Sequence, residues 1–179
     1  MDPIITWLRD NPAWIFFAIA ILPGLAVPSS PLLILVGIVW GATWQACALA
    51  LTAIAVNIIW SHLVAAGPAK KLLTRILGPR IARFQNLKSS DHLRLIAIVR
   101  FTPGVPLCVQ NYGIGLLGAP LRLSLALAIP TTAVHVCGLV LTGGAIFDGQ
   151  LGILILGISL LIVATLAIHL IRQHWLTSR

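Results

Sequence analysis

Apolar runs longer than any soluble helix face needs, cut at intervals by proline, constrain this chain more than any other feature. Leu32 to Trp60 is almost continuously apolar. At about 29 residues it exceeds the roughly 20 that cross a bilayer core, so part of it lies outside a single crossing. With 59% hydrophobic and 9% charged residues, the chain is far from the roughly 25% charge of a soluble domain. These numbers define an all-α polytopic membrane protein, because a spanning backbone must satisfy its own N–H and C=O groups. The net charge of +8 comes from scarce acid, 12 Lys+Arg against four Asp and no Glu. So few basic residues in so apolar a chain argue against nucleic-acid binding.

Met1 to Asn11 reads as a short interfacial helix around Trp7. It has neither the basic n-region nor the small-residue cleavage site of a secretory signal, so the first apolar segment is expected to stay in the mature protein. Residues 12–64 are expected to form a first re-entrant hairpin, interrupted at Pro23-Gly24 and Pro28-Ser29-Ser30-Pro31, followed by a transmembrane helix running on through the soft breaks Gly37 and Gly41. Two crossings in place of that hairpin are the alternative. Residues 65–92 form a linker between the two halves. From Lys70 to Arg94 seven basic residues against Asp91 supply six of the net positive charges, with Leu72, Leu73, Ile76, Leu77, Ile81 and Phe84 on one helical face. That pattern is an amphipathic surface helix on anionic lipid, broken at Gly78-Pro79; a solvated loop is the alternative, and both are cytoplasmic by the positive-inside rule.

Residues 93–146 repeat the first plan. Two limbs of about ten residues, roughly 15 Å each, flank Pro103-Gly104-Val105-Pro106 and reach half of a 30 Å core, which predicts a second re-entrant hairpin; Leu121 to Ile146 then spans with a kink at Pro130. Phe147 to Gln150 reads as a tight turn, and 151–171 as a third full transmembrane helix returning to a cytoplasmic C-terminus. Val27-Pro28-Ser29-Ser30-Pro31-Leu32 and Thr102-Pro103-Gly104-Val105-Pro106-Leu107 match, and hairpins entering from opposite faces make an inverted repeat within one membrane domain, 1–179.

Arg100 is the main candidate for a functional side chain. A guanidinium deep in a half-membrane limb is costly and calls for an anion, which a lipid phosphate supplies in bidentate geometry; capping of backbone carbonyls freed at the prolines is the alternative. Ser30 before Pro31 reads as an N-cap followed by the first helical residue, and Pro106 as the start of the matching half-helix. Ser29, Ser30 and the amides after Pro106 then cradle a phosphate, or cap their helices ordinarily. Gln110, Asn111 and Tyr112 form a polar cluster that lines a headgroup path or satisfies hairpin backbone. His135, mid-span, is the one plausible proton carrier or else a structural histidine. Asn57 reads as interhelical glue, His62 as interfacial, the six tryptophans as interface belts, and Cys47, Cys108 and Cys137 as packing. No acid pair, metal-ligand spacing or G-x-S-x-G is present, so neither an enzyme, a metal nor a cofactor is expected. Gly37 and Gly41 form a G-x-x-x-G pair that serves packing within the fold or a homo-oligomer.

Val27-Pro28-Ser29-Ser30 with Gly37 and Gly41, Arg100-Phe101-Thr102-Pro103-Gly104-Val105, and Asn111-Tyr112 with Gly115 and Pro130 resemble the DedA family, within the wider VTT (SNARE-associated Golgi protein) domain superfamily. The resemblance covers roughly residues 20–150. It implies two re-entrant hairpins with flanking spans, movement of phospholipids or polyprenyl phosphates between leaflets as a flippase or scramblase, and a place in the bacterial cytoplasmic membrane. It puts Pro103 and Gly104 at the hairpin tip. Two departures stand out. Leu22 to Pro31 has no acidic residue, with Ser30 where one is expected, and Pro106 replaces the second arginine of R-x-x-P-x-x-R. Both count against proton coupling and a strictly polyprenyl-phosphate substrate. Transport of a small anion and a non-transporting scaffold are the competing functions.

Overall fold

The computed structural model describes residues 3–77, 89–102, 105–149, 155, 157–163, 165 and 166. The regular structure among them is helical throughout. The chain runs α1 (Pro3–Asp10), α2 (Pro12–Ile21), a single 3₁₀ turn (Leu22–Leu25), α3 (Ser29–Trp40), α4 (Trp44–Ala66), α5 (Lys70–Leu77), α6 (Ser89–Arg100), α7 (Leu107–Leu116) and α8 (Leu121–Asp148). Two helices, α4 and α8, are long and apolar enough to cross a membrane. The bent pair made by α1 and the segment Pro12–Leu25, turned through 81°, makes three if it is counted as one span. The expected third full span, 151–171, lies mostly outside the described residues, as does the linker beyond Leu77 with Gly78-Pro79, Ile81 and Phe84.

Proline sets most of the boundaries. Pro12 opens α2, where its missing N–H costs nothing, and Asn11 turns back to donate from Nδ2 to the Trp7 carbonyl at 2.9 Å, closing α1. Pro23 tightens the end of α2 into the 3₁₀ turn, and the chain leaves through Ala26 in the left-handed region, φ 68°. Pro28 (φ −58°, ψ 128°), Pro106 (−56°, 144°) and Pro120 (−60°, 130°) then occupy the N-cap position of α3, α7 and α8. The proline ring fixes φ, and the extended ψ aims the chain into the helix. α4 starts differently, with Thr43 Oγ1 accepting from the Ala46 amide at 3.2 Å.

Several expectations are corrected at these boundaries. Ser30 is not an N-cap: α3 already begins at Ser29, and Pro31 is tolerated in the first turn because its amide would have no intrahelical acceptor. Gly37 does not soften the helix; the break between α3 and α4 falls at Gly41, whose φ of 73° suits a residue without Cβ. The turn expected at Phe147-Asp148 begins later, because α8 continues to Asp148 and closes on Gly149 at φ 65°. Pro130 sits inside α8 without ending it.

Packing pairs the two halves crosswise. α3 lies against α8 and α7 against α4, while α4 and α8 also touch each other; α2 rests on α4 as α6 rests on α8. Close approach at the first crossing depends on missing side chains. A Cβ at Gly37 would meet the Val140 carbonyl, and one at Gly143 the Ile34 carbonyl. At the second crossing a Cβ at Gly115 would strike the His62 carbonyl oxygen. Ile19, Leu33, Val36, Ile54, Ile58 and Val140 fill the main core, and Ile96, Ile114 and Ala119 a smaller one between α6, α7 and α8. Exposed Trp14, Phe17, Ile21 and Leu25 leave an apolar flank facing outward along α2 and the turn after it, as lipid-facing surface requires.

Candidate functional site

The two proline steps meet at one cavity of about 690 Å³. Ala26, Val27, Pro28, Ser29 and Ser30 form one wall, and Arg100, Phe101, Thr102, Val105, Pro106 and Gln110 the opposite one. Thr131, Thr132 and His135 of α8 close a third side, which Thr165 also reaches. Residues more than 70 positions apart in sequence thus share one chamber.

Arg100 is the last residue of α6, only 7% exposed. Its Nη2 donates to Asn111 Oδ1 at 2.8 Å and its Nη1 to Gln110 Oε1 at 3.2 Å. A guanidinium has five N–H donors, so three have no acceptor among the described residues, including the buried Nε. Both partners are carboxamides. They accept hydrogen bonds without cancelling the charge, whereas a carboxylate in either place would neutralise it. Asp10 and Asp148 are exposed on other helices. Asp91 lies nine residues before Arg100 on α6, roughly 13.5 Å along the axis.

Behind Arg100 runs a buried chain of amides. Asn111 donates to Asn57 Oδ1 at 3.4 Å, and Asn57 donates to the Ala20 carbonyl at 2.9 Å, where Trp60 Nε1 also donates at 2.6 Å. Asn57 and Asn111 are both 0% exposed. The chain ties the end of α2 to Arg100 through α4 and α7, and Gly24 admits Trp60 because a Cβ there would collide with its ring. Gln110 Nε2 donates to the Val105 carbonyl at 3.0 Å, holding the second proline step to the first turn of α7.

The predicted site residues therefore separate into three groups. Arg100, Ser29, Ser30, Pro106, Gln110 and His135 line the cavity. Asn111 stands behind Arg100, and Tyr112 packs edge-on against Trp60, ring centroids 6.4 Å apart, away from the cavity. Pro103 and Gly104 lie outside the described residues. Trp60 is half-buried and donates to the Ala20 carbonyl, and His62 is buried, its Nδ1 without a partner among the described residues. Asn57 is the interhelical link expected of it. Sequence reasoning missed Thr132, whose hydroxyl has no hydrogen bond among the described residues; the pair of threonines that follows Pro130 was the available signal. Cys47 and Cys108 are buried, Cys137 is half-buried and all three are free. Among the described residues no cluster of His, Cys and Asp could hold a metal.

Ala26 adds a further mark to this place. A non-glycine residue in the left-handed region costs roughly 1–2 kcal/mol, and such strain gathers at functional sites. Ala26 lies on the cavity wall between the 3₁₀ turn and α3.

The fold and site define a helical protein with two or three candidate membrane spans and a largely apolar cavity between two proline-broken segments, with Arg100 on its wall. Comparison of the chain with protein-family models, with curated proteins and with solved structures found no match.

Proposed function

We propose that this protein moves a phosphate-bearing lipid, a phospholipid or polyprenyl phosphate, between membrane leaflets, as the resemblance to the DedA family implies. In this reading the segments Pro12–Trp40 and Ser89–Leu116 are re-entrant hairpins related as an inverted repeat, with α4 and α8 as the full spans that follow them. Three features support the repeat. Pro28 and Pro106 cap α3 and α7 with nearly equal dihedral angles. α3 and α7, at 12 and 10 residues, are about 18 and 15 Å long, short of a roughly 30 Å core. The crosswise pairing of α3 with α8 and α7 with α4 is the pairing that exchange of two equivalent halves would give.

One observation carries the function: Arg100, with one N–H on each of Nη1 and Nη2 unengaged among the described residues, lines the same cavity as Ser29 and Ser30. The phosphate would bind the guanidinium and the free amides at the N-termini of α3 and α7. The acyl chains would stay in lipid beside the apolar flank of α2. Binding and passage need no covalent step, so the protein is read as a transporter and not an enzyme. Exposed Lys70, Lys71 and Arg75 on α5 would rest on anionic lipid at the cytoplasmic face, placing the C-terminus on that side of a bacterial cytoplasmic membrane.

The test is transfer of fluorescently labelled phospholipid in proteoliposomes, compared with Arg100→Ala and Arg100→Lys at equal insertion. Loss in the first and partial retention in the second support the reading. Undiminished transfer in Arg100→Ala overturns the site.

A further inference from the structure

We infer that the cavity selects lipids with a net-negative headgroup over zwitterionic lipids whose headgroup ends in an ammonium group. The inference rests on the lipid-transfer reading and concerns what else lines the chamber.

A zwitterionic headgroup brings a phosphate and an ammonium into the same space, and each needs a partner. For the phosphate there are Arg100 and four polar side chains without hydrogen bonds among the described residues: Ser29, Ser30, Thr132 and His135. For the ammonium there is no carboxylate among the described lining residues. Composition makes this firm, because the whole chain has four Asp and no Glu. Asp10 and Asp148 are exposed elsewhere, Asp91 lies nine residues before Arg100 on α6, and the segments outside the described residues hold one acid, Asp2. A quaternary ammonium could instead use an aromatic cage, but Phe101 is the one Phe, Tyr or Trp among the described lining residues, and Trp60 and Tyr112 face each other elsewhere.

Fixed charge in the chamber also repels an amine. The guanidinium keeps its full positive charge because Gln110 and Asn111 are amides, and the N-termini of α3 and α7 add positive dipole ends along the same walls. The chamber therefore rewards the anionic half of a headgroup and penalises the cationic half, which is selection by repulsion as much as by attraction.

The experiment reconstitutes the full chain in phosphatidylcholine vesicles. It follows trace acyl-labelled phosphatidylglycerol, phosphatidylethanolamine and phosphatidylcholine in separate assays. Phosphatidylglycerol is expected to move at least roughly tenfold faster than either zwitterion, the factor that one lost polar contact confers. Thr132→Asp, which puts a carboxylate on the wall, is expected to narrow that ratio by favouring phosphatidylethanolamine. Equal wild-type rates for all three lipids, each lost in Arg100→Ala, overturn the selectivity and leave the transporter standing. No transfer of any lipid overturns the transporter reading and this inference with it. Uptake of soluble glycerol 3-phosphate in place of lipid overturns the assignment to a lipid headgroup.

Discussion

The two proline steps use one backbone device for opposite ends. Each is a proline-capped entry into a short helix, and the capping residues, Pro28 and Pro106, differ by only 2° in φ. The first step carries hydroxyls and no charge, and its backbone is held from behind: Asn57 and Trp60 both donate to the Ala20 carbonyl. The second carries Arg100, held from behind by Asn111. One segment is thus an anchored rim and the other an anchored charge. The Asn57–Asn111 contact connects the anchors, so the positions of rim and charge are set by the same buried amides. A scaffold can repeat while the chemistry resides in one copy.

The contrast breaks most visibly at the charge. Arg100→Ala removes the charged donor, and hydrogen bonds to charged groups are worth roughly 1.5–3 kcal/mol, so lipid transfer should fall by about tenfold to a hundredfold or more in proteoliposomes. Stability to thermal unfolding in detergent should fall only by the roughly 1–3 kcal/mol that leaving the buried Asn111 Oδ1 without its donor costs, less than the loss of transfer. A large loss of stability with proportionate loss of transfer would make Arg100 a structural cap instead.

Cutting the link between the steps should rank next. Asn57→Leu leaves the buried Asn111 amide without an acceptor and should cost about 1–3 kcal/mol, read as a lower unfolding temperature. It should also reduce transfer of all lipids alike, since it displaces both walls. An unchanged unfolding temperature would mean that the amide chain does not hold the steps together.

Gly24→Ala probes the first anchor alone. Its Cβ would enter the Trp60 ring, and crowding of this kind costs roughly 1–3 kcal/mol. Because Trp60 can shift, the low end of that range is expected, with recovery in the Gly24→Ala, Trp60→Phe double variant measured in the same unfolding assay. The smallest effect belongs to the rim. Ser29→Ala with Ser30→Ala removes two hydroxyls that make no hydrogen bond among the described residues and should slow transfer by about twofold to tenfold, on the scale of one neutral hydrogen bond, with stability unchanged. A loss as large as that of Arg100→Ala would give both steps equal weight and erase the contrast.

Much of the fold was legible because lipid-soluble helices announce themselves by composition, and proline by its missing N–H. The limits of α8 follow from apolar length and the short α7 from Pro106 and Pro120, whereas the break between α3 and α4 falls at Gly41 inside one apolar run that no proline divides. Arg100 stood out because a charge in an apolar limb is expensive wherever it is put. Helix caps were less legible: Ser30-Pro31 looks like a cap locally, but Pro28 had already fixed the entry one residue before α3 begins. The contacts of Trp60 and His62 were not legible because amphipathic side chains are equally at home at an interface and in a buried polar contact. Only their neighbours, Ala20 and Gly24 for one and Gly115 for the other, separate the two cases.

By itself the sequence determined that this is a helical chain for an apolar environment, interrupted twice in the same way, with one arginine out of place and no glutamate to answer it. Those are consequences of side-chain solvation and backbone geometry, which act locally. The tertiary structure decided that the two interruptions share one cavity, that carboxamides and not carboxylates hold the arginine, and that Asn57 joins the halves. Such facts depend on which helices cross, and crossing is set by glycines at the contacts, where backbones meet across separations of about a hundred residues, as at Gly37 and Gly143. A pattern of apolar residues says which face is buried but not which neighbour buries it, and the function proposed here depends on the neighbour.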